Sequence, residues 1–217
     1  MLLQPWNLLK SISLLVVGLL VVSSACNAFA AEDEGFTSIF DGKTLEGWMG
    51  SVDGYAVENG AIVCKPNGRN LYTKKEYSNF VLRFEFKLTP GANNGIGLRA
   101  PTEGDPAYVG MESQVLDDTA DQYKGLKEYQ FHGSVYGVAP AKRGHLKPVG
   151  EWNVEEIVCD GKHVKVTLNG VVIVDADVIK PIDGQNHPGL SRDKGHIAFC
   201  GHGAHVEFRN LRVKELK

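Results

Sequence analysis

The sequence predicts an all-β protein, a two-sheet antiparallel jelly-roll sandwich. Three observations lead there: short runs in which apolar and polar residues alternate, glycine-rich turns between them, and hardly any helical periodicity. About a dozen strands in one domain must form two packed sheets, because each sheet has an apolar face to bury.

Before the strands, residues 1–30 read as a cleaved export signal. Lys10 precedes an apolar run at 12–22, and Ala28-Phe29-Ala30 is a small-x-small cleavage site. That run is shorter than the ~20 residues a spanning helix needs, and no second membrane-length stretch follows. The expected product is one domain at 31–217, periplasmic or secreted. Anchoring as a lipoprotein through Cys26 is the lesser reading, since Ser23 and Ser24 make a poor acylation site.

The strand pattern then runs along the chain. Ala61–Cys64 is a short apolar strand. In Phe80–Leu88, Phe80, Leu82, Phe84, Phe86 and Leu88 face one way and Val81, Arg83, Glu85 and Lys87 the other. Further strands fall at 95–99, 152–159 and Gly195–Phe199. Residues 163–175 form a hairpin turning at Asn169-Gly170. In 206–214 the apolar set shifts from Val206 and Phe208 to Leu211 and Val213, which predicts a bulge near Arg209-Asn210. Helix is confined to about one turn at 120–124, and 117–133, 139–150 and 180–193 read as long loops.

Charge excludes one class of partner. With 23 Lys and Arg against 26 Asp and Glu, the formal net charge is −3, and no basic patch exists to hold nucleic acid. Past residue 30 three cysteines remain, Cys64, Cys159 and Cys200, widely spaced and with no Cys-x-x-Cys pair, so zinc is not indicated. One disulfide or three buried thiols both fit. Oligomeric state is open.

The segment from Gly110 to Asp118 carries the chemistry. As a strand it puts Met111, Ser113 and Val115 on one face and Glu112, Gln114 and Leu116 on the other. A carboxylate and a carboxamide about 6.6 Å apart on one face are unusual in a strand. They are either the floor of a site for a polyhydroxylated ligand, with Glu112 moving a proton, or the solvent face of an antiparallel sheet.

Four blocks carry a resemblance: Gly35-Phe-Thr-Ser-Ile-Phe-Asp-Gly-Lys-Thr-Leu-Glu-Gly-Trp48, Gly110-Met-Glu-Ser-Gln-Val-Leu-Asp117, Lys147-Pro-Val-Gly-Glu-Trp-Asn153, and Gly195-His-Ile-Ala-Phe-Cys-Gly-His202 followed by Val206-Glu-Phe-Arg-Asn-Leu-Arg212. In order and over the whole expected domain, they resemble the 3-keto-disaccharide hydrolase family, also described as 3-keto-glucoside 1,2-lyase and 3-keto-2-hydroxy-glucal hydratase domains. The resemblance implies a concanavalin A-like lectin/glucanase sandwich and a glycoside or oligosaccharide substrate carrying a 3-keto group. A ketone at carbon 3 acidifies the carbon-2 hydrogen; a base removes it, the aglycone leaves carbon 1, and water adds back. Such chemistry needs one base, one acid and donors or a metal on the enolate oxygen.

By motif position the resemblance implies Glu112 as base or metal ligand, His202 as acid or metal ligand, and Arg99 as enolate stabiliser. Gln114, Asp117, Tyr136, Lys147 and Trp152 are the implied substrate-binding residues. It implies no certain cofactor; a divalent metal bridging keto and hydroxyl oxygens is compatible. Blander readings stand beside these: Trp152 as core packing, Arg99 and Asp117 as a structural ion pair, the six histidines other than His202 as surface or structural groups. Two departures from the family pattern are His132-Gly133-Ser134-Val135-Tyr136, where basic residues are expected, and Cys200-Gly201 ahead of His202, where an acid commonly sits. The alternatives to an enzyme are a carbohydrate-binding module and an adhesion domain.

Overall fold

The outward face of Phe80–Leu88 is charged except at Val81 and its inward face is wholly apolar, and the fold is organised around that inward row. The computed structural model describes residues 34–217. The expected export signal and Cys26 lie outside them. Gly35–Lys217 forms one compact unit. Its strands, in chain order, are β1 (Thr37–Ser38), β2 (Trp48–Gly50), β3 (Tyr55–Glu58), β4 (Ala61–Cys64), β5 (Leu71–Tyr77), β6 (Phe80–Leu88) and β7 (Asn93–Ala100). After a short helix α1 (Pro106–Val109) come β8 (Met111–Leu116), β9 (Trp152–Asp160), β10 (His163–Leu168), β11 (Val171–Asp177), β12 (Gly195–Phe199) and β13 (Val206–Glu215).

These make two antiparallel sheets. The larger runs β11-β10-β9-β6-β13-β4-β3, with β1 also on β13; the smaller runs β2-β5-β12-β7-β8. Two stacked sheets of this kind are the predicted jelly roll. Between them, Phe199 of β12 stacks on Phe208 of β13 at 4.0 Å, and Trp48 stacks on Phe199 at 5.1 Å. Phe80, Leu82, Phe84, Phe86 and Leu88 are all buried in the same core. Each such side chain contributes roughly 1.5–3 kcal/mol on leaving water.

The local expectations for turns are met. Asn169 and Gly170 both have positive φ, 50° and 84°, the pair a two-residue I′ hairpin requires, and Leu168 pairs with Val171 across it. The register of β13 on β6 shifts between Arg209 and Arg212, with Asn210 at φ 54°, so the bulge lies where the parity switch put it. All three described cysteines are buried and free.

Helical content needs correction. The 120–124 segment is a 3₁₀ turn at Asp121–Tyr123, but α1 and three more 3₁₀ turns, Val52–Gly54, Glu128–Gln130 and Pro188–Ser191, were not expected. α1 carries a start signal that periodicity misses: Asp105 caps it by accepting from the Ala107 N–H at 3.1 Å, and Pro106 opens the first turn. None of the helices among the described residues is long and apolar enough to cross a membrane.

β8 ends the smaller sheet's strand order, yet both its faces are buried. The loop after it doubles back along the strand. Gly133 N donates to Gln114 O at 2.7 Å, Gln114 N to Ser134 O at 3.0 Å, and Tyr136 N to Glu112 O at 2.9 Å. An edge that would otherwise present bare amides is thereby paired, and the loop is pinned over one face. A buried contact holds its far side: His132 Nε2 lies 3.1 Å from Oε2 of Glu155, a core-facing residue of β9, and its ring packs on Phe86 at 5.0 Å.

Candidate active site

The face of β8 that carries Glu112 and Gln114 is not a solvent face. It floors a cavity of about 180 Å³, the space of about six waters at ~30 Å³ each and the scale of one sugar ring. Asn93, Glu112 and Gln114 form the floor. Tyr108 of α1 and Tyr136 form a wall, Tyr123, Leu126 and Gln130 of the returning loop a roof, and Asp105 and His202 the rim.

Glu112 is 5% exposed and Gln114 6%, and Oε1 of each has no hydrogen-bond partner; Oδ1 of Asn93 is likewise unpartnered. Leaving a buried polar atom unpaired costs about 1–3 kcal/mol. Three such atoms on residues that line one cavity mark a surface suited to a polar ligand.

Backbone geometry makes room for the carboxyl. Gly95 of β7 lies beside β8, and a Cβ there would fall 1.7 Å from Glu112 Oε1 and 2.7 Å from its Cγ. The side chain of Glu112 therefore lies across the bare backbone of its neighbour. Burial, with the negative charge of Asp105 second, pushes its pKa up to about 8, while a hydrogen bond from the Cys200 thiol works the other way. Burial, then the charge of Glu112, pushes Cys200 well above the usual thiol range, so that sulfur stays protonated and donates. A carboxyl poised near neutral pH in a cavity is suited to proton transfer. At the exposed rim, partial desolvation draws His202 below the ordinary imidazole range, Asp105 opposing and Arg69 assisting, so it is mainly neutral at pH 7.

The structure brings four of the sequence-derived residues together: Glu112, Gln114, Tyr136 and His202. It does not bring the other four. Arg99 is 1% exposed at φ 51°, and its guanidinium is consumed by Ser78 O (2.7 Å), Gly161 O (2.7 Å) and Asn79 Oδ1 (2.8 Å), so it clamps two turns rather than facing the cavity. Asp117 accepts from Gly91 N at 2.8 Å and from Thr119 N and Oγ1 at 3.0 and 2.6 Å; it shapes the loop, and no Arg99–Asp117 pair forms. Lys147 donates to Trp152 O at 2.9 Å. Trp152 lies on the larger sheet with Arg209 at 3.8 Å and Lys87 at 4.8 Å from its ring centroid, cations rather than a sugar against the indole.

Asp105, Tyr108, Asn93 and Gln130 were missed. Asp105-Pro106 could have been found as a helix start; Tyr108 and Gln130 lie in single turns of helix too short to carry a periodic signal. Among the described residues no group of three or more His, Cys, Asp or Glu side chains is placed to hold a metal. A divalent cation here would have to draw on the amide oxygens of Asn93 and Gln114 beside Glu112, a hard-oxygen set that suits such an ion.

Fold and cavity together define a jelly-roll protein of the carbohydrate-acting, hydrolase-like class. Residues 35–214 match the family described as the 3-keto-alpha-glucoside-1,2-lyase-like domain, and the chain belongs to that family. It is 28% identical to a 3-keto-disaccharide hydrolase of Bacteroides thetaiotaomicron, over 84% of this chain and 79% of that one. A solved structure from Parabacteroides distasonis, described as a candidate glycosyl hydrolase, is 27% identical with a TM-score of 0.74, covering 83% of this chain and 99% of that one. A Bacillus subtilis protein with a galectin-like fold, 12% identical with a TM-score of 0.54 over 79% of this chain and 90% of that one, shares the architecture alone.

Proposed function

We propose that this chain is an exported enzyme that cleaves 3-keto-glycosides by elimination across carbons 1 and 2, and hydrates the 2-hydroxy-glucal so formed, giving net hydrolysis. The observation that carries the reading is Glu112: buried, unpartnered at Oε1, lining a ring-sized cavity and poised at about pH 8. Its carboxylate takes the carbon-2 proton, and the electron pair moves into the carbon-3 carbonyl as an enolate. Collapse of the enolate forms the carbon 1–carbon 2 double bond and expels the aglycone oxygen, which takes a proton from solvent at the rim beside the neutral imidazole of His202. In hydration, water adds at carbon 1 and gives its second proton to neutral His202 and so to solvent, replacing the one the aglycone took up, while the proton held by Glu112 returns to carbon 2. Gln114 and Asn93 orient the sugar hydroxyls, and Tyr108 and Tyr136 exclude water from the ring. A divalent cation bound at the floor would supply further polarisation of the keto oxygen.

The test is incubation of the protein with a 3-keto-glucoside and its unoxidised parent, with and without chelator, for wild type and Glu112→Gln. Aglycone release from the keto compound alone, reduced about 10²–10⁴-fold in the variant, supports proton abstraction; chelator sensitivity adds a metal. Binding without turnover of either compound overturns the enzyme reading in favour of a carbohydrate-binding module. Export is checked by the N-terminal residue of protein recovered outside the cytoplasm, expected near Ala31.

A further inference from the structure

Gln130 fixes the direction of one proton in the cavity. Its side chain closes the 3₁₀ turn Glu128–Gln130, where the backbone N–H of Lys127 donates to Oε1 at 3.0 Å. A backbone N–H can meet only the oxygen end of the amide, so the other end, 2.8 Å from the Tyr136 hydroxyl, is the NH₂ group. An NH₂ group can only donate. The phenol oxygen of Tyr136 is therefore an acceptor in that bond, and its own proton points elsewhere.

The surroundings fix the ring. Tyr136 is held in place by the bond from its backbone N–H to Glu112 O, and its ring meets Tyr108 and Tyr129 edge-on at 6.2 and 6.3 Å. Burial first, then the charge of Tyr136, raises the pKa of Tyr108, so Tyr108 keeps its proton. With the Gln130 NH₂ group donating from the protein side, the Tyr136 proton is left to a ligand in the cavity that Tyr136 and Glu112 both line.

Resting on the elimination chemistry proposed above, we infer that Tyr136 is the hydrogen-bond donor to the carbon-3 oxygen as it becomes an enolate, and that Gln130 is the positioning residue that aims it. The step balances: Glu112 gains the carbon-2 proton, the C–H electron pair moves to the carbon-3 oxygen, and Tyr136 donates a hydrogen bond without losing its proton. Arg99, spent on backbone carbonyls, leaves that role open. A fixed donor aimed where charge develops is worth about 10²–10³-fold in kcat.

The experiment uses the full chain and two readouts: aglycone release from a 3-keto-glucoside, and deuterium exchange at carbon 2 of a 3-keto sugar with no leaving group, which reports enolisation alone. Tyr136→Phe should lower both rates about 10²–10³-fold with KM changed only a few-fold. Gln130→Glu keeps the acceptor for Lys127 N–H but turns the other end into an acceptor that captures the phenol proton, and should lose nearly as much. Gln130→Met, which neither captures the phenol proton nor aims it, should fall between wild type and Gln130→Glu. The proposal is overturned if Tyr136→Phe keeps wild-type kcat, or if Gln130→Met is as damaging as Gln130→Glu, the result expected of a merely structural role. Wild type inactive in both assays overturns the elimination reading itself.

Discussion

The carboxyl of Glu112 occupies the space in which a side chain on Gly95 would begin: a Cβ there would lie 1.7 Å from Oε1 and 2.5 Å from Cδ. Gly95 does not have a positive φ, so conformation is not what demands glycine. The demand is room for the neighbour.

Gly95→Ala should therefore displace Glu112 and nearly abolish turnover, to about the level of Glu112→Gln, while overpacking costs roughly 1–3 kcal/mol of stability. Gly125→Ala, where a Cβ would meet nothing within 4 Å and φ is not positive, is the matched control and should leave both unchanged. Full activity in Gly95→Ala would show that the floor position of Glu112 is dispensable.

The raised pKa of Glu112 sets two pH dependences. If its ionised form is the base, kcat/KM climbs about tenfold per pH unit and levels near pH 8, not near the ordinary carboxylate range. Stability runs the other way. The folded pKa, about 8, lies above the ordinary 4.5, so between these values the folded state binds the extra proton. The stabilising contribution is full below about pH 4.5 and is lost as pH rises to 8. Urea unfolding of Glu112→Gln should show its stability improving relative to wild type across that window; a constant difference would place the carboxyl in water.

His132 and Glu155 couple the returning loop to the larger sheet. Glu155→Ala leaves His132 without its carboxylate in the core and should cost about 3 kcal/mol or more, with activity falling as the loop carrying Gln130 and Tyr136 loosens. The pair His132→Phe and Glu155→Leu should cost clearly less together than the sum of each alone, measured by denaturant midpoints. Strict additivity would show the two side chains to be independent.

Trp152 provides the contrast. Flanked by Arg209 and Lys87 and outside the cavity, it should be replaceable by Ala with kcat/KM within about twofold and a stability loss on the order of 1 kcal/mol. A large rise in KM would return it to the substrate.

What could be read along the chain was whatever neighbours in sequence decide. The alternation in Phe80–Leu88, the Asn169-Gly170 turn and the bulge at Arg209-Asn210 each depend on a few adjacent residues, and each is found as read. Glu112 and Gln114 were conspicuous for a similar reason: two polar groups two residues apart must share one face of a strand. Arg99 and Asp117 misled because residue type tells what a side chain can bind, not what surrounds it. The guanidinium of Arg99 meets carbonyls from residues 78 and 161, far apart in sequence.

Whether the Glu112 face looked onto water or into a cavity was open in the strand itself, since both cases show the same alternation. Tertiary structure settled it by folding the loop from Asp117 to Tyr136 back along β8 and bringing Asp105, Tyr108 and His202 to the same place. The pKa of Glu112 follows from that closure, because desolvation belongs to the space around a group and not to its position in the chain.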